Sequence, residues 1–256
     1  MINQESIESY FPENERQFKR GILREYMQCK ILELIFDSQY ADKLVFLGGT
    51  AIRIVHDSRR FSEDLDFDNL GLDPMAFDAL ADLVKTGMER LGLSVEIRTI
   101  HKRTYRVYVK IPDVLFTNGI SPMANEKLMI QIDATPQDYS YAKQTVLLKK
   151  FDVLTQIFVV PIDLLLSQKI LASLDRKRAK GRDFFDIIFL WGKTKPDYGY
   201  LDKRLGIRDQ TMLKEAFRKR ISSIDLDALS ADTQPFLFDP SDDKKIHLFR
   251  EFVESL

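Results

Sequence analysis

Cysteine is almost absent from this chain. Cys29 stands alone among 256 residues, so no intrachain disulfide can form, and a single thiol fits a reducing compartment. It lies in a helical stretch with no histidine near it in sequence, which reads as a packed thiol rather than a nucleophile. Histidine is sparse too: His56, His101 and His247 are scattered without metal-ligand spacing. No sign of charge dominates, since the formal net charge is −1, and any contact with nucleic acid or a membrane surface must be carried by a local patch. No apolar run is long enough to span a bilayer. The opening MINQESIESYFPENE is polar and acidic where a signal peptide would be basic and then apolar. G-x-S-x-G, a Walker-type lysine loop and C-x-x-C are all missing, as are repeats and low-complexity tracts. The expectation is a soluble cytoplasmic protein whose 45% hydrophobic content fills one large core or two small ones.

What is present centres on Leu44 to Asp68, LVFLGGTAIRIVHDSRRFSEDLDFD. Leu44, Val45, Phe46 and Leu47 form a short apolar run that reads as a buried strand. Gly48 and Gly49 end it, and glycine there lets a ligand approach the main chain. Thr50, Ala51, Ile52 and Arg53 open a short helix. A second strand carries Asp64-Leu65-Asp66-Phe67-Asp68. Side chains alternate along a strand, so Leu65 and Phe67 face the core while Asp64, Asp66 and Asp68 share the other face. Crowded carboxylates repel unless a cation sits among them, and as hard oxygen ligands they suit Mg²⁺ or Mn²⁺. Backbone N–H groups of the Gly48–Gly49 turn can hold a phosphate. Together these are the parts for phosphoryl or nucleotidyl transfer. Taken alone, a D-x-D is more often a solvated edge strand or an acidic turn; the upstream Gly-Gly after an apolar strand tips the reading toward chemistry.

Around this stretch, residues 14–36 read as one long helix with Leu23, Met27, Ile31, Leu34 and Ile35 at helical spacing. Asp73 and Pro74 start another, striped by Phe77, Leu80, Val84, Met88 and Leu91 and stopped by Gly92. Strands follow over 93–101, 104–111 and 127–133, and one or two more over 145–160. Arg106, Tyr108 and Lys110 share one face of the second of these, which is either a nucleic-acid contact or a solvated sheet face. Asp133 ends the strand before Ala134-Thr135-Pro136, as a third metal carboxylate, a general base or a turn residue. After Pro161 everything reads as helix. Lys169, Ser173 and Arg176 share a helix face. Arg176, Lys177, Arg178, Lys180 and Arg182 form a basic run ahead of Gly181-Arg182-Asp183-Phe184-Phe185-Asp186. Asp183 and Asp186 either favour the helix dipole of a first turn or orient Lys169 or Arg182 toward a triphosphate. Residues 209–221 and 241–256 read as two amphipathic helices.

Leu47-Gly48-Gly49-Thr50 with Arg60-Phe61-Ser62-Glu63-Asp64-Leu65-Asp66-Phe67, and then Lys169 and GRDFFDI far downstream, resemble the AbiEii/AbiGii-type nucleotidyltransferase toxins of type IV toxin–antitoxin and abortive-infection systems, relatives of the MenT enzymes. The resemblance reaches to about Leu190, and its specific part is R-F-S-x-D-L-D-F. It implies an α/β (α+β) polymerase-β-like fold, a mixed sheet flanked by helices, with residues 1–160 as the nucleotidyltransferase domain and 161–256 as a helical domain completing the active site. It implies catalytic roles for Asp64, Asp66, Lys169, Asp183 and Asp133, with Asp64, Asp66 and Asp133 as metal ligands. Asp186 competes with Asp183 for the last acidic position. Gly48, Gly49, Thr50, Ser62, Lys169 and Arg182 are the implied nucleotide contacts. The implied reaction moves NMP from an NTP to an acceptor with Mg²⁺ or Mn²⁺. The acceptor is expected to be RNA, in this family the tRNA 3′ end, held by Arg176, Lys177, Arg178 and Lys180, and a separately encoded antitoxin is the expected check on growth inhibition. Two rivals stand beside this reading: a catalytically degenerate fold that only binds RNA or protein, and a D-x-D nucleotide-sugar glycosyltransferase.

Overall fold

In the computed structural model, which describes residues 4–256, the apolar run Leu44–Leu47 becomes an interior strand of a seven-stranded sheet. The strands are β1 (Leu44–Leu47), β2 (Leu65–Asn69), β3 (Glu96–His101), β4 (Tyr105–Ile111), β5 (Leu128–Ala134), β6 (Gln144–Lys150) and β7 (Val153–Val159). Their spatial order is β3-β4-β5-β2-β1-β7-β6. β2–β5 and β1–β7 are parallel, and the other neighbours are antiparallel, so the sheet is mixed as expected. The chain divides into two compact units. One holds the residues up to Val55 with Phe61–Val159; the other holds His56–Arg60 with Val160–Leu256.

The first unit contains the whole sheet and helices α1 (Gln4–Glu8), α2 (Lys19–Phe36), α3 (Gly48–His56, all but its last residue), α4 (Pro74–Arg90) and α5 (Val114–Thr117). Alternation sends Leu65, Phe67, Val107, Val109, Ile130 and Ile132 to the buried face, where α2 and α4 pack. Pro74 occupies the first turn of α4, and its N-cap Asp73 accepts from the Ala76 amide at 2.8 Å. The helix expected over residues 14–36 is shorter. Glu13–Glu15 forms a 3-10 turn, and Phe18 leaves helical geometry at ψ 44° to set its ring 5.9 Å from Phe61. Buried Glu25 of α2 takes Arg53 of α3 at 2.8 and 3.2 Å and also pairs with Lys150 of β6. Burial alone would raise the Glu25 pKa, but the two cations outweigh it and hold it below the carboxylate range.

The second unit is helical: α6 (Ile162–Asp175), α7 (Gly181–Trp191), α8 (Tyr198–Leu205), α9 (Gln210–Ile221), α10 (Leu226–Thr233), α11 (Lys244–His247) and α12 (Phe249–Glu254). A β-carbon on Gly181 would collide with the Leu229 carbonyl and the Thr233 hydroxyl, so glycine lets α7 approach α10. The single helix expected over residues 241–256 is broken at Leu248 (φ −82°, ψ 7°). Phe249 is fully buried there, with ring contacts to Phe184 at 4.8 Å and Phe217 at 5.3 Å, and that packing overrides helix continuity.

Candidate active site

The R-F-S-x-D-L-D-F string is secured residue by residue. Within the first unit, the Phe61 ring lies where a β-carbon on Gly21 would stand 2.8 Å away, so the glycine in α2 makes its seat. Gln28 of α2 donates to the Ser62 carbonyl at 3.1 Å and the Glu63 carbonyl at 2.9 Å. Arg24 pairs with Glu63 at 3.1 Å. Thr50 is fully buried, and its hydroxyl donates to the Asp64 carbonyl. Leu65 and Phe67 anchor β2 in the core. The acidic strand therefore has a fixed backbone, while Asp64 is exposed and Asp66 half-buried.

Asp66 lies at the turn that ends β1. Leu47 is its cross-strand partner, and Gly48 begins α3 with φ 81°. A β-carbon on Gly48 would overlap Asp66 Oδ2 and stand 3.0 Å from the Asp66 Cβ. Glycine thus serves twice here, by adopting the left-handed angle and by leaving room for the carboxylate. The first amides of a helix lack intrahelical partners, and the positive end of α3 faces this position. Such an arrangement can hold a phosphate and a metal-binding carboxylate side by side.

Asp133 is the β5 neighbour of Asp66 in register. Its two oxygens accept from Arg106 Nε and Nη2, both at 2.7 Å, and Gln131 adds a bond at 3.0 Å. Arg106 sits directly across from Asp133 on β4. Asp68, which alternation puts on the same face as Asp64 and Asp66, is buried. It accepts from the Gln137 amide at 2.9 Å and the Tyr141 hydroxyl at 2.6 Å, and so pins the segment after β5.

Within the second unit, Lys169 of α6 bridges Asp183 at 3.1 Å and Asp186 at 2.9 Å. Arg60 grips Asp186 with two bonds at 2.7 and 2.6 Å, both side chains being almost fully buried. Arg176 pairs with Asp183 at 2.9 Å. Burial disfavours the Lys169 ammonium, but Asp186 and Asp183 outweigh it, and its pKa lies above the ordinary lysine value. Asp186 is the converse: burial pushes it up, Arg60 and Lys169 more than cancel this, and it stays below the carboxylate range. Asp183 and Asp186 thus both pair with Lys169, and Asp183 also lies in the first turn of α7. Arg182 stacks on the Phe236 ring at 4.1 Å. Lys177 and Arg178 are exposed.

A family model for the nucleotidyl transferase AbiEii toxin of type IV toxin–antitoxin systems matches residues 30–255. The chain belongs to the AbiEii family. Two solved structures from Helicobacter pylori share the fold. JHP933 is 17% identical, with a TM-score of 0.54 over 92% of each chain. A second protein, described as a nucleotidyltransferase, is 16% identical with a TM-score of 0.54, over 92% of this chain and 95% of its own. No curated protein matches the sequence.

In this AbiEii member, no group of three or more His, Cys, Asp or Glu among the described residues is arranged to hold a metal ion. The donor set still fits Mg²⁺, which keeps several waters and binds through one or two carboxylates plus substrate phosphates. Asp66, in β2, and Asp64, one residue before that strand begins, are the carboxylates available for such a pair, while Arg106 occupies both oxygens of Asp133. Three features of these clusters escaped sequence reasoning: Gln28, the pairing of Arg60 with Asp186, and that of Arg106 with Asp133. Arg60 and Asp186 are 126 positions apart, so no local pattern could pair them. The sequence offered Asp133 as a metal carboxylate, general base or turn residue and Arg106 as a nucleic-acid contact or solvated face, with nothing to pair the two.

Proposed function

We propose that this AbiEii-family toxin transfers a nucleoside monophosphate from an NTP to an RNA hydroxyl, in the manner of tRNA 3′-end modification, and releases pyrophosphate. The observation that carries this reading is the Asp66 carboxylate seated in the space left by Gly48 at the start of α3. A divalent ion, Mg²⁺ or Mn²⁺, would polarise the phosphoryl oxygens and activate the attacking hydroxyl. Asp64 and Asp66 would hold it, and the amides of Gly48, Gly49 and Thr50 would bind phosphate, with Ser62, two residues before Asp64, as a further phosphate contact. Lys169, kept charged by Asp183 and Asp186, would offset triphosphate charge, with Arg182 as a further cation. Arg176, Lys177, Arg178 and Lys180 would meet the acceptor backbone. The toxin would act in the cytoplasm, checked by an antitoxin; no helix among the described residues is long and apolar enough to cross a membrane.

The test is transfer of label from each NTP into total RNA with saturating Mg²⁺, comparing wild type with Asp64→Asn at equal folded concentration. Asparagine keeps the shape and removes the charge, so the fold should persist while transfer falls by orders of magnitude. Growth inhibition in a host without antitoxin should disappear with it. Comparable transfer by the two proteins would remove the acidic strand from the chemistry.

A further inference from the structure

The notable charge imbalance of this molecule lies on the β3–β4 hairpin, within the unit that carries the acidic strand. Residues 96–111, EIRTIHKRTYRVYVKI, hold five cations (Arg98, Lys102, Arg103, Arg106 and Lys110) against Glu96 as their one carboxylate, in a chain of net charge −1. Glu96 is already bound by Lys127 at 2.6 Å. Arg98, Lys102 and Arg103 are exposed and have no ion-pair partner among the described residues.

Register organises these groups. Arg98 pairs with Tyr108, and Tyr108 with Gln131. Lys110 pairs with Met129, which is 45% exposed. Arg106, Asp133 and Asp66 form one row across β4, β5 and β2. All of these project from the face opposite buried Val107, Val109 and Ile130. Strands are spaced about 4.8 Å apart, so Tyr108 and Arg106 stand roughly 10 Å from the acidic strand and Arg98 about 15 Å, the span of two or three nucleotides of extended single strand. The other side of the hairpin is fastened: Tyr105 packs 5.5 Å from Phe77, and His101 bonds Asp78 at 2.9 Å. Arg106 also neutralises Asp133 and donates to the Tyr108 hydroxyl at 3.3 Å, which removes a repulsive charge from the row leading to Asp66 and fixes the ring.

We propose that this open face of the β3–β4 hairpin seats the single-stranded 3′ end of the RNA acceptor, with Tyr108 stacking on a base and Arg98, Lys102 and Arg103 taking phosphates. A basic strip with an aromatic platform is what sequence-tolerant single-strand binding uses. The proposal rests on the RNA-acceptor reading above and adds the place where the strand end lies.

The experiment measures binding of a fluorescent single-stranded oligoribonucleotide to the full chain at several salt concentrations. It compares wild type, the triple variant Arg98→Ala, Lys102→Ala, Arg103→Ala, and the variants Tyr108→Leu and Tyr108→Phe, with unfolding curves checking the fold. Three lost phosphate contacts should flatten the log–log salt slope by about two. Tyr108→Leu should weaken binding roughly tenfold while Tyr108→Phe keeps it. In label transfer, KM for RNA should rise in the triple variant and in Tyr108→Leu, with KM for NTP unchanged. Wild-type affinity and slope in all of these variants, with binding lost instead on Lys177→Ala, Arg178→Ala, would overturn the proposal and leave nucleotidyl transfer standing. Absence of RNA binding by wild type would also overturn it, and Mn²⁺–NTP binding, read by electron paramagnetic resonance on the same protein, would then decide separately whether the metal-nucleotide reading survives.

Discussion

Gly48→Ala is the sharpest perturbation of the candidate site, because two costs converge on one added methyl group. The φ of 81° is left-handed, which costs an L-residue about 1–2 kcal/mol. The new carbon would also overlap Asp66 Oδ2 and crowd the Asp66 Cβ and Cγ at 3.0 and 3.1 Å. Crowding of this kind costs about 1–3 kcal/mol, and it is relieved most cheaply by turning the carboxylate away. Total destabilisation should thus be roughly 2–5 kcal/mol. In an Asp66→Ala background the oxygen overlap vanishes and mainly the backbone cost of about 1–2 kcal/mol remains. A double-mutant cycle by urea unfolding should therefore show a coupling of about 1–2 kcal/mol between positions 48 and 66. Function should suffer more than stability, since displacing a catalytic group by about 1 Å costs on the order of a hundredfold in rate. Label transfer at equal folded concentration measures that loss, and Mn²⁺ binding should weaken in parallel. Equal destabilisation in both backgrounds, together with wild-type transfer by Gly48→Ala, would refute the idea that glycine here makes space for a working carboxylate.

Asp186→Asn should destabilise the protein by about 3–5 kcal/mol, because it strips the shared counter-charge from buried Arg60 and from Lys169; chemical denaturation reads this directly. The difference in stability between wild type and that variant should be flat at intermediate pH. Asp186 has a lowered folded pKa, so its contribution is complete above the unfolded carboxylate value of about 4 and is lost as pH falls through the lower folded value. Lys169 has a raised folded pKa, so its contribution is complete below the unfolded lysine value of about 10.4 and is lost as pH rises through the higher folded value. A difference that shrinks steadily between pH 5 and 9 would contradict this assignment. Cys29 is fully buried, and burial pushes its thiol pKa well up, so iodoacetamide should label it only at the rate of unfolding.

Much of this architecture was readable because local pattern and tertiary role agree. The run Leu44–Leu47 and the alternation through Leu65 and Phe67 state strand and face together, and Asp73 with Pro74 states a helix start. Where tertiary packing overrides pattern, sequence reading overshoots. Phe18 leaves the helix to meet Phe61, and Phe249 breaks the last helix to reach Phe184 and Phe217. Helices α8 and α10 fall in the stretch after Pro161 that reads as helix throughout, but their separate bounds were not resolved there. In the candidate site, the acidic strand and the Gly-Gly turn were plain because their chemistry is local. The charge lattice of Arg60, Lys169, Asp183 and Asp186 was legible only in part, because its members come from distant stretches. Asp68 shows the limit of alternation: the strand gives it the face of Asp66, but Tyr141 and Gln137 turn it into a structural anchor.

The chain passes between its two units at 55/56, 60/61 and 159/160, so His56–Arg60 is a loan from the middle of one unit to the other. The phenylalanine of the R-F-S-x-D string beds into α2, while the arginine one residue earlier is clamped by Asp186 and its neighbour Arg59 receives the Phe238 amide at 3.3 Å. Such threading makes the protein resistant to modular exchange. A recombination event or an engineered chimera with one crossover near residue 160 would combine an Arg60 from one parent with an Asp186 from another. Grafting the helical unit onto a different sheet requires the five-residue loop to travel with it. Sequence change at positions 56–60 should accordingly follow the helical half of the chain rather than the strands that flank it.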